Sequence, residues 1–176
     1  MKRIKRYRRR NKKTSIFVEL VIALILLVVV GIGAKEVILP NESIEGVQLV
    51  GCVDGDTAKL RIEGQTETVR FLAIDTPETK HPNKGVEPFG KEASDYTCDT
   101  LKNANVIRVE FDLNSNQRDK YNRILAWVFV DDKLLQEELL NNGLAKIAYL
   151  YGDYSYMDQL YKAEQLAQAN NLGVWE

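Results

Sequence analysis

The alternation of apolar and polar positions divides the chain into an N-terminal apolar run and a patterned remainder. Residues 15–34 form the apolar run, with Glu19 as its one charge; a helix needs about 20 residues to cross a bilayer. After a polar stretch, "LPNESIEG", period-two alternation predicts strands over 47–53, 57–63 and 66–74, the last two joined by a tight turn at Glu63-Gly64-Gln65. Ala93, Tyr96, Thr97, Leu101 and Ala104 recur at helical spacing and predict a helix over 90–105. Two more strands are expected at 106–111 and 124–130, on either side of the polar loop "DLNSNQRDKYNR". A short helix over 134–142 closes at Asn142-Gly143. Ser155, with Asp158 three residues on, predicts the start of another that carries Leu160, Ala163 and Ala167. Trp127 and Trp175 read as packing residues. Strands and helices fall mostly in separate runs, an α+β pattern. Five short strands in so little chain predict a small closed barrel with three helices outside it.

Charge changes how the first third is read. Residues 1–14 hold nine of the 24 lysines and arginines and no acid. A basic flank before an apolar run stays in the cytoplasm. The expected organisation is therefore a basic cytoplasmic arm at 1–14, a transmembrane helix or signal-anchor at 15–34, a linker at 35–45 and a folded, exported domain at 46–176. A cleaved signal peptide is the alternative, giving a secreted domain. The end of the run, "GIGAK", has Ile32 where a cleavage site wants a small residue, which favours the anchor. Without the arm the chain carries a net charge of about −10. An acidic body repels polyanions at long range, so contact with nucleic acid has to rest on local clusters, which counts against a plain DNA-coating role. Cys52 and Cys98 are the only cysteines. Export would permit a disulfide, but one cysteine falls in a strand and the other in a helix. No disulfide is expected from that pattern.

The candidate chemistry is carried by oxygen. One histidine, His81 in a polar turn, and no nucleophile elbow or glycine-rich phosphate loop leave serine, cysteine and histidine schemes unsupported. Cysteine and histidine are too few and wrongly spaced for zinc. Instead, Asp54 and Asp56 flank a glycine at a strand corner, and "VRFLAIDTPETKHP" runs from a strand into Asp75-Thr76-Pro77-Glu78. Pro77 removes a backbone donor and stops the ladder, so these acids leave the sheet at its rim. Carboxylates with a threonine oxygen suit a hard cation such as calcium. Arg70 lies on the strand that delivers Asp75, and Arg123 ends the polar loop. Strict alternation puts Arg70 and Asp75 on opposite faces. A shared site would need the strand to bulge or bend; otherwise Arg70 pairs with a surface acid. Tyr149 and Tyr151 share one parity in a strand-like segment, where they would stack on bases or pack along the barrel edge.

"VDGDTAKL", "VRFLAIDTPETKHP", "FGKEAS", "DKYNRILAWVF", "NNGLAKIAYLY" and "GVWE" occur in an order and spacing that resembles the staphylococcal nuclease (thermonuclease) family over residues 46–176. The resemblance implies a five-stranded OB-type barrel with three helices. It implies a calcium-dependent phosphodiesterase that cuts DNA and RNA at the bond to the 5′ oxygen and leaves 3′-phosphates, with a monomeric catalytic domain. It also implies Asp56 and Asp75 as side-chain Ca2+ ligands and Thr76 as a carbonyl ligand. Arg70, Glu78 and Arg123 match the catalytic positions, and Asp54 the acid that supports the site from behind. Lys120, Tyr121, Tyr149 and Tyr151 match positions that hold phosphate and base. Asn122 stands where the family has glycine, a change asparagine tolerates in left-handed backbone. A non-catalytic nucleic-acid-binding module on the same fold and a membrane-tethered adaptor for protein are the competing classes. The joint presence of Asp56, Asp75, Glu78, Arg70 and Arg123 argues against both.

Overall fold

The computed structural model describes residues 41–79 and 85–176. The apolar segment 15–34 and His81 lie outside them. Among the described residues no helix is long and apolar enough to cross a membrane. Residues 41–176 form one unit.

Strands β1 (Ser43–Cys52), β2 (Thr57–Ile62) and β3 (Gln65–Phe71) make an antiparallel meander. The β2–β3 turn has positive φ at both Glu63 (49°) and Gly64 (82°), the backbone twist that a two-residue hairpin favours and that glycine adopts without strain. A two-residue strand β4 (Ile74–Asp75) and helix α1 (Gly90–Lys102) lead to β5 (Ile107–Glu110) and β6 (Ile124–Val130). β6 pairs antiparallel with β5 and parallel with β3, and β5 pairs with β1. Those pairings close β1, β2, β3, β6 and β5 into a five-stranded barrel, as expected from the sequence. β1 contacts different neighbours along its length because its register shifts between Ile44 and Val47 and again between Leu49 and Gly51. Such bulges bend a strand around a small barrel.

β7 (Lys133–Leu134) extends β6 as a hairpin and runs directly into helix α2 (Leu135–Asn141). β8 (Lys146–Ile147) pairs with β4, helix α3 (Met157–Ala169) packs on α2, and a 3-10 turn (Gly173–Trp175) follows. α1 buries Ala93, Thr97 and Leu101, and α3 buries Leu160, Ala163 and Ala167, the stripes that their spacing predicts. Trp127 is fully buried; its indole N–H donates to Asp112 Oδ2 at 2.9 Å and its ring meets Tyr154 and Tyr156 edge-on. Trp175 is half-buried, with the Lys146 ammonium 4.5 Å from its ring centroid.

Three expectations are corrected. β1 begins at Ser43, four residues before the alternation starts, because its first residues pair with β5 through Ser43 opposite Glu110 and Ile44 opposite Val109. Backbone pairing there does not require an apolar pattern, so the pattern did not show it. Ser155 does not cap the last helix; Tyr156 occupies the N-cap at φ 62° without a side-chain cap. The Ser155 hydroxyl oxygen instead accepts from Asn41 Nδ2 at 3.1 Å, and its N–H donates to Asp112 Oδ2 at 2.7 Å, both tertiary bonds. Finally, Cys52 and Cys98 are joined, with Cα atoms 5.6 Å apart. α1 lies against β1 and brings its cysteine to the strand's last residue, which no local pattern could indicate.

Candidate active site

The turn after β3 decides the geometry. β3 ends at Phe71, the chain turns through Leu72 and Ala73 (φ 61°), and Ile74-Asp75 re-enters as β4 against β8. The turn resets the alternation, so Arg70 and Asp75 share a site although strict parity separates them. The Arg70 guanidinium is buried, against the surface reading. Its Nη1 donates to the carbonyls of Phe71 (3.0 Å) and Ile74 (2.8 Å). Its Nη2 lies 3.0 Å from Asp75 Oδ1 and 3.1 Å from Asp56 Oδ2. The rigid planar fork therefore clasps the turn that delivers Asp75 and also bridges two carboxylates.

Asp56 is buried at the β1–β2 corner. Its Oδ2 accepts from the Thr76 N–H (3.0 Å) and hydroxyl (3.2 Å), and its Oδ1 from the Thr57 hydroxyl (3.0 Å). Gly55 permits this approach: a Cβ there would lie 2.7 Å from Thr76 Oγ1 and 2.8 Å from the Ala93 Cβ. Asp54 accepts from the Asp56 N–H at 3.3 Å. Burial, reinforced by the negative charges of Asp56 and Glu78, pushes its carboxyl up to about 6. Burial likewise raises Asp75, with Asp56 adding to the effect and Arg70 opposing it. Negative charge in this corner exceeds what Arg70 compensates.

Those shifts have a signed consequence. A carboxyl whose folded value lies above its ordinary 3.8 contributes stability that is fully present below about pH 4 and is lost as pH rises through about 6. In solutions without divalent cations, Asp54→Asn should therefore gain stability relative to the unmutated chain between pH 4 and 6, with no further gain above about 7. Urea denaturation of both proteins across that range checks this; a difference independent of pH would remove the charge strain assigned to Asp54.

Glu78 is exposed, and its backbone is fixed from both sides. Its N–H donates to Glu87 Oε2 (3.1 Å) and its carbonyl accepts from the Glu87 N–H (3.0 Å). The second cluster sits on the loop before β6. Arg123 Nε donates to Asp119 Oδ2 at 2.7 Å, while Asp119 Oδ1 accepts from the N–H groups of Tyr121 and Arg123, both at 2.9 Å. Burial pushes Asp119 up, but these bonds outweigh it and hold the carboxyl below its usual range. Arg123 and Lys120 both lie over the Tyr121 ring, 5.5 and 5.0 Å from its centroid. Asn122 has φ 63°, the left-handed conformation its side chain tolerates. Ile124 pairs with Val69 and Leu125 with Arg70, so Arg123 enters from the loop immediately before β6, the strand parallel to the one that carries Arg70.

Tyr149 faces Arg70, its ring centroid 5.3 Å from the guanidinium, and its hydroxyl is turned toward Asp75, whose charge raises the phenol. It is not in a strand, as its parity with Tyr151 had suggested: β8 ends at Ile147 and Tyr149 has φ 57°. Tyr151 is strongly exposed, at 82%. The structure thus gathers Asp54, Asp56, Arg70, Asp75, Thr76 and Tyr149 in one place and Lys120, Tyr121 and Arg123 in another. Sequence reasoning passed over Asp119, the carboxylate that aims Arg123; its spacing of four before the arginine, across a turn, was the available signal. It also passed over Arg118, which clamps Glu67 of β3 through two bonds of 2.8 and 2.9 Å.

The family model for "Staphylococcal nuclease homologue" matches residues 68–176. Similar curated proteins include the SPbeta prophage-derived endonuclease YokF of Bacillus subtilis (strain 168), 48% identical over 130 residues that cover 73% of this chain and 43% of that protein. Endonuclease YncB of the same organism is 44% identical over 136 residues, 77% of this chain and 64% of that protein. The thermonuclease of Staphylococcus hyicus is 34% identical over 137 residues, 78% of this chain and 79% of that protein. The chain spans less than two thirds of the length of the two Bacillus proteins. With the match running from β3 through the last turn, and so including Arg70, Asp75, Glu78 and Arg123, the chain belongs to the staphylococcal nuclease homologue family.

Proposed function

We propose that the chain is a calcium-dependent endonuclease that hydrolyses DNA and RNA to 3′-phosphate products outside the cell membrane. The observation that carries this reading is the excess of carboxylates around a buried arginine at the barrel rim, with exposed Glu78 beside them. Among the described residues no three acidic, histidine or cysteine side chains converge tightly enough to hold a metal by themselves. Two carboxylates, Asp56 and Asp75, together with Thr76 oxygens and water, make a hard and irregular donor set of the kind calcium accepts. The repulsion from Asp56 and Glu78 that adds to burial in raising Asp54 and Asp75 is what a divalent cation would relieve. Bound there, calcium would supply positive charge to a phosphate oxygen.

The chain's own groups account for the rest. Glu78 receives a proton from a water whose oxygen forms the new bond to phosphorus as the bond to the 5′ oxygen breaks; the 5′ oxygen keeps the electron pair and takes a proton from solvent to leave as a hydroxyl. Arg70, on β3, and Arg123, on the loop that leads into the neighbouring β6, balance charge that grows on the phosphate oxygens. Lys120 contributes a further cation near the strand, and Tyr121, Tyr149 and Tyr151 offer exposed rings to bases. Base stacking of this kind is indifferent to sequence and contributes about 1–3 kcal/mol per base. The domain acts as a monomer and is tethered by the apolar segment at 15–34. The Cys52–Cys98 bond fits an oxidising compartment.

One assay tests activity, metal and place together. Intact cells that express the full chain should degrade single-stranded DNA added outside with calcium present, and stop when EGTA is added. Cleavage indifferent to EGTA would remove the calcium assignment, and cleavage that appears only after lysis would remove the location. Binding without cleavage would return the chain to the non-catalytic module.

A further inference from the structure

We propose that the Cys52–Cys98 disulfide positions the Asp54-Gly55-Asp56 loop, so that a dithiol reductant lowers cation binding and cleavage together. The inference rests on the proposed function for the identity of the cation and deepens it by adding redox control of the same site.

Three features converge on this loop. Cys52 is the last residue of β1 and pairs with Ala58 of β2, so the loop is the five residues between them. Its internal bonds are few: the N–H groups of Val53 and Asp54 both donate to the Thr57 carbonyl at 3.2 Å, Asp54 accepts from the Asp56 N–H, and Asp56 accepts from the Thr57 hydroxyl at 3.0 Å. Asp56 itself is held from β3 and the turn after it, by the Phe71 N–H on its carbonyl at 2.8 Å, by Thr76 and by Arg70. The other half of the loop, residues 53–55, is supported from α1. The Thr97 hydroxyl donates to the Gly55 carbonyl at 2.6 Å, Ala93 lies beneath Gly55, and Cys98, next to Thr97, holds Cys52 covalently. Successive turns of one helix thus grip the loop that carries Asp56.

The helix is a support that needs the bond. Its N-cap, Phe89, has φ 65° and makes no side-chain cap, and of the first-turn donors the Gly90 N–H is met by the Glu87 carbonyl at 3.0 Å. Lys91, Glu92, Asp95 and Asp99 face solvent. Its attachment to the loop is one neutral hydrogen bond, a narrow buried stripe and the disulfide. Loss of the covalent link loosens residues 53–55 and so the placement of Asp54 and the path into Asp56, which Thr76 and Arg70 hold only from the other side. A displacement of about 1 Å at such a site can cost about 10²-fold in rate. Neither cysteine is fully buried. The step balances: the reductant's two thiols give two electrons and two protons, the Cys52–Cys98 bond becomes two thiols, and the reductant closes its own disulfide.

The test compares the full-length chain oxidised, treated with dithiothreitol, and reoxidised, alongside a Cys52→Ser/Cys98→Ser variant. Calcium affinity is read by titration calorimetry, and backbone hydrogen exchange is read without metal or substrate. On reduction, calcium affinity should fall by about 10- to 100-fold, the range for loss of a ligand's supporting partner. Exchange should rise at residues 54–57 while β3 and β6 stay protected, and reoxidation should restore both. The serine variant should match the reduced protein and ignore the reductant. Unchanged affinity and loop protection would overturn the proposal. So would a rise in exchange across the whole barrel, which marks a bond that serves general stability, or a response to reductant in the serine variant. An oxidised chain that takes up no calcium would count against the proposed function, and the exchange comparison would still decide the positioning role.

Discussion

Glu78→Gln should lower the turnover of nucleic-acid cleavage by about 10²- to 10⁴-fold, the contribution of a positioned general base, and leave the thermal midpoint close to that of the unmutated chain. The substitution keeps the side chain's shape and removes its ability to take a proton. The fold has little to lose, because Glu78 is exposed and its local structure is made by its backbone. The N–H and carbonyl are both engaged by Glu87. Gly90 packs so closely beneath that a Cβ there would stand 2.7 Å from the Glu78 carbonyl oxygen. Neither contact involves the carboxylate. Turnover at saturating calcium and substrate, with circular dichroism on the same sample, checks the prediction; an unchanged rate in a folded variant would end the assignment of Glu78 to the attacking water.

Arg70→Lys should damage both rate and stability, whereas Arg123→Lys should damage rate alone. Arg70 uses its guanidinium to serve two carbonyls and two carboxylates from a nearly buried position. A lysine ammonium donates from one point and cannot reach all four. Leaving a buried carboxylate or carbonyl unserved costs about 1–3 kcal/mol, and loss of a donor aimed at the transition state costs about 10²- to 10³-fold in turnover. Arg123 is about a third exposed and paired to Asp119, a class of ion pair that contributes about 0–1 kcal/mol. Its replacement should leave the midpoint nearly unmoved while turnover falls. Kinetics and thermal unfolding of the two variants separate these outcomes. Equal stability losses would contradict the burial argument, and near-normal turnover in both would return the arginines to structural roles.

Legibility in the sequence followed the range of the interaction involved. β6 was read to the residue because 124–130 is apolar throughout and bounded by polar loop and turn. The buried stripes of α1 and α3 were legible from spacing alone, since a helix that packs on a barrel must keep one face apolar. The β2–β3 turn was legible because Glu63-Gly64 is a local chemical signal. Asp75-Thr76-Pro77-Glu78 declared itself as a rim because proline ends a strand wherever it falls. By contrast, the start of β1 rests on pairing with a strand more than sixty residues away, and the Ser155 hydroxyl is engaged by Asn41 across the fold.

The candidate site divides in the same way. Its chemistry, oxygen ligands and arginines without a usable histidine, cysteine or serine scheme, is a property of composition and order, and the sequence by itself determined it. So did the family resemblance, which rests on short motifs of adjacent polar residues. Whether Arg70 faces Asp75 was decided only in three dimensions. Period-two alternation separates them, and the turn at Leu72-Ala73 exists because β4 finds its partner in β8, at Ile147 and Lys146. The joining of Cys52 to Cys98 was also a tertiary decision, since strand and helix meet only after the barrel closes. Local propensity acts over a few residues, so it can specify elements and the residues they carry; the distances that turn carboxylates and arginines into a site depend on contacts between segments far apart in the chain.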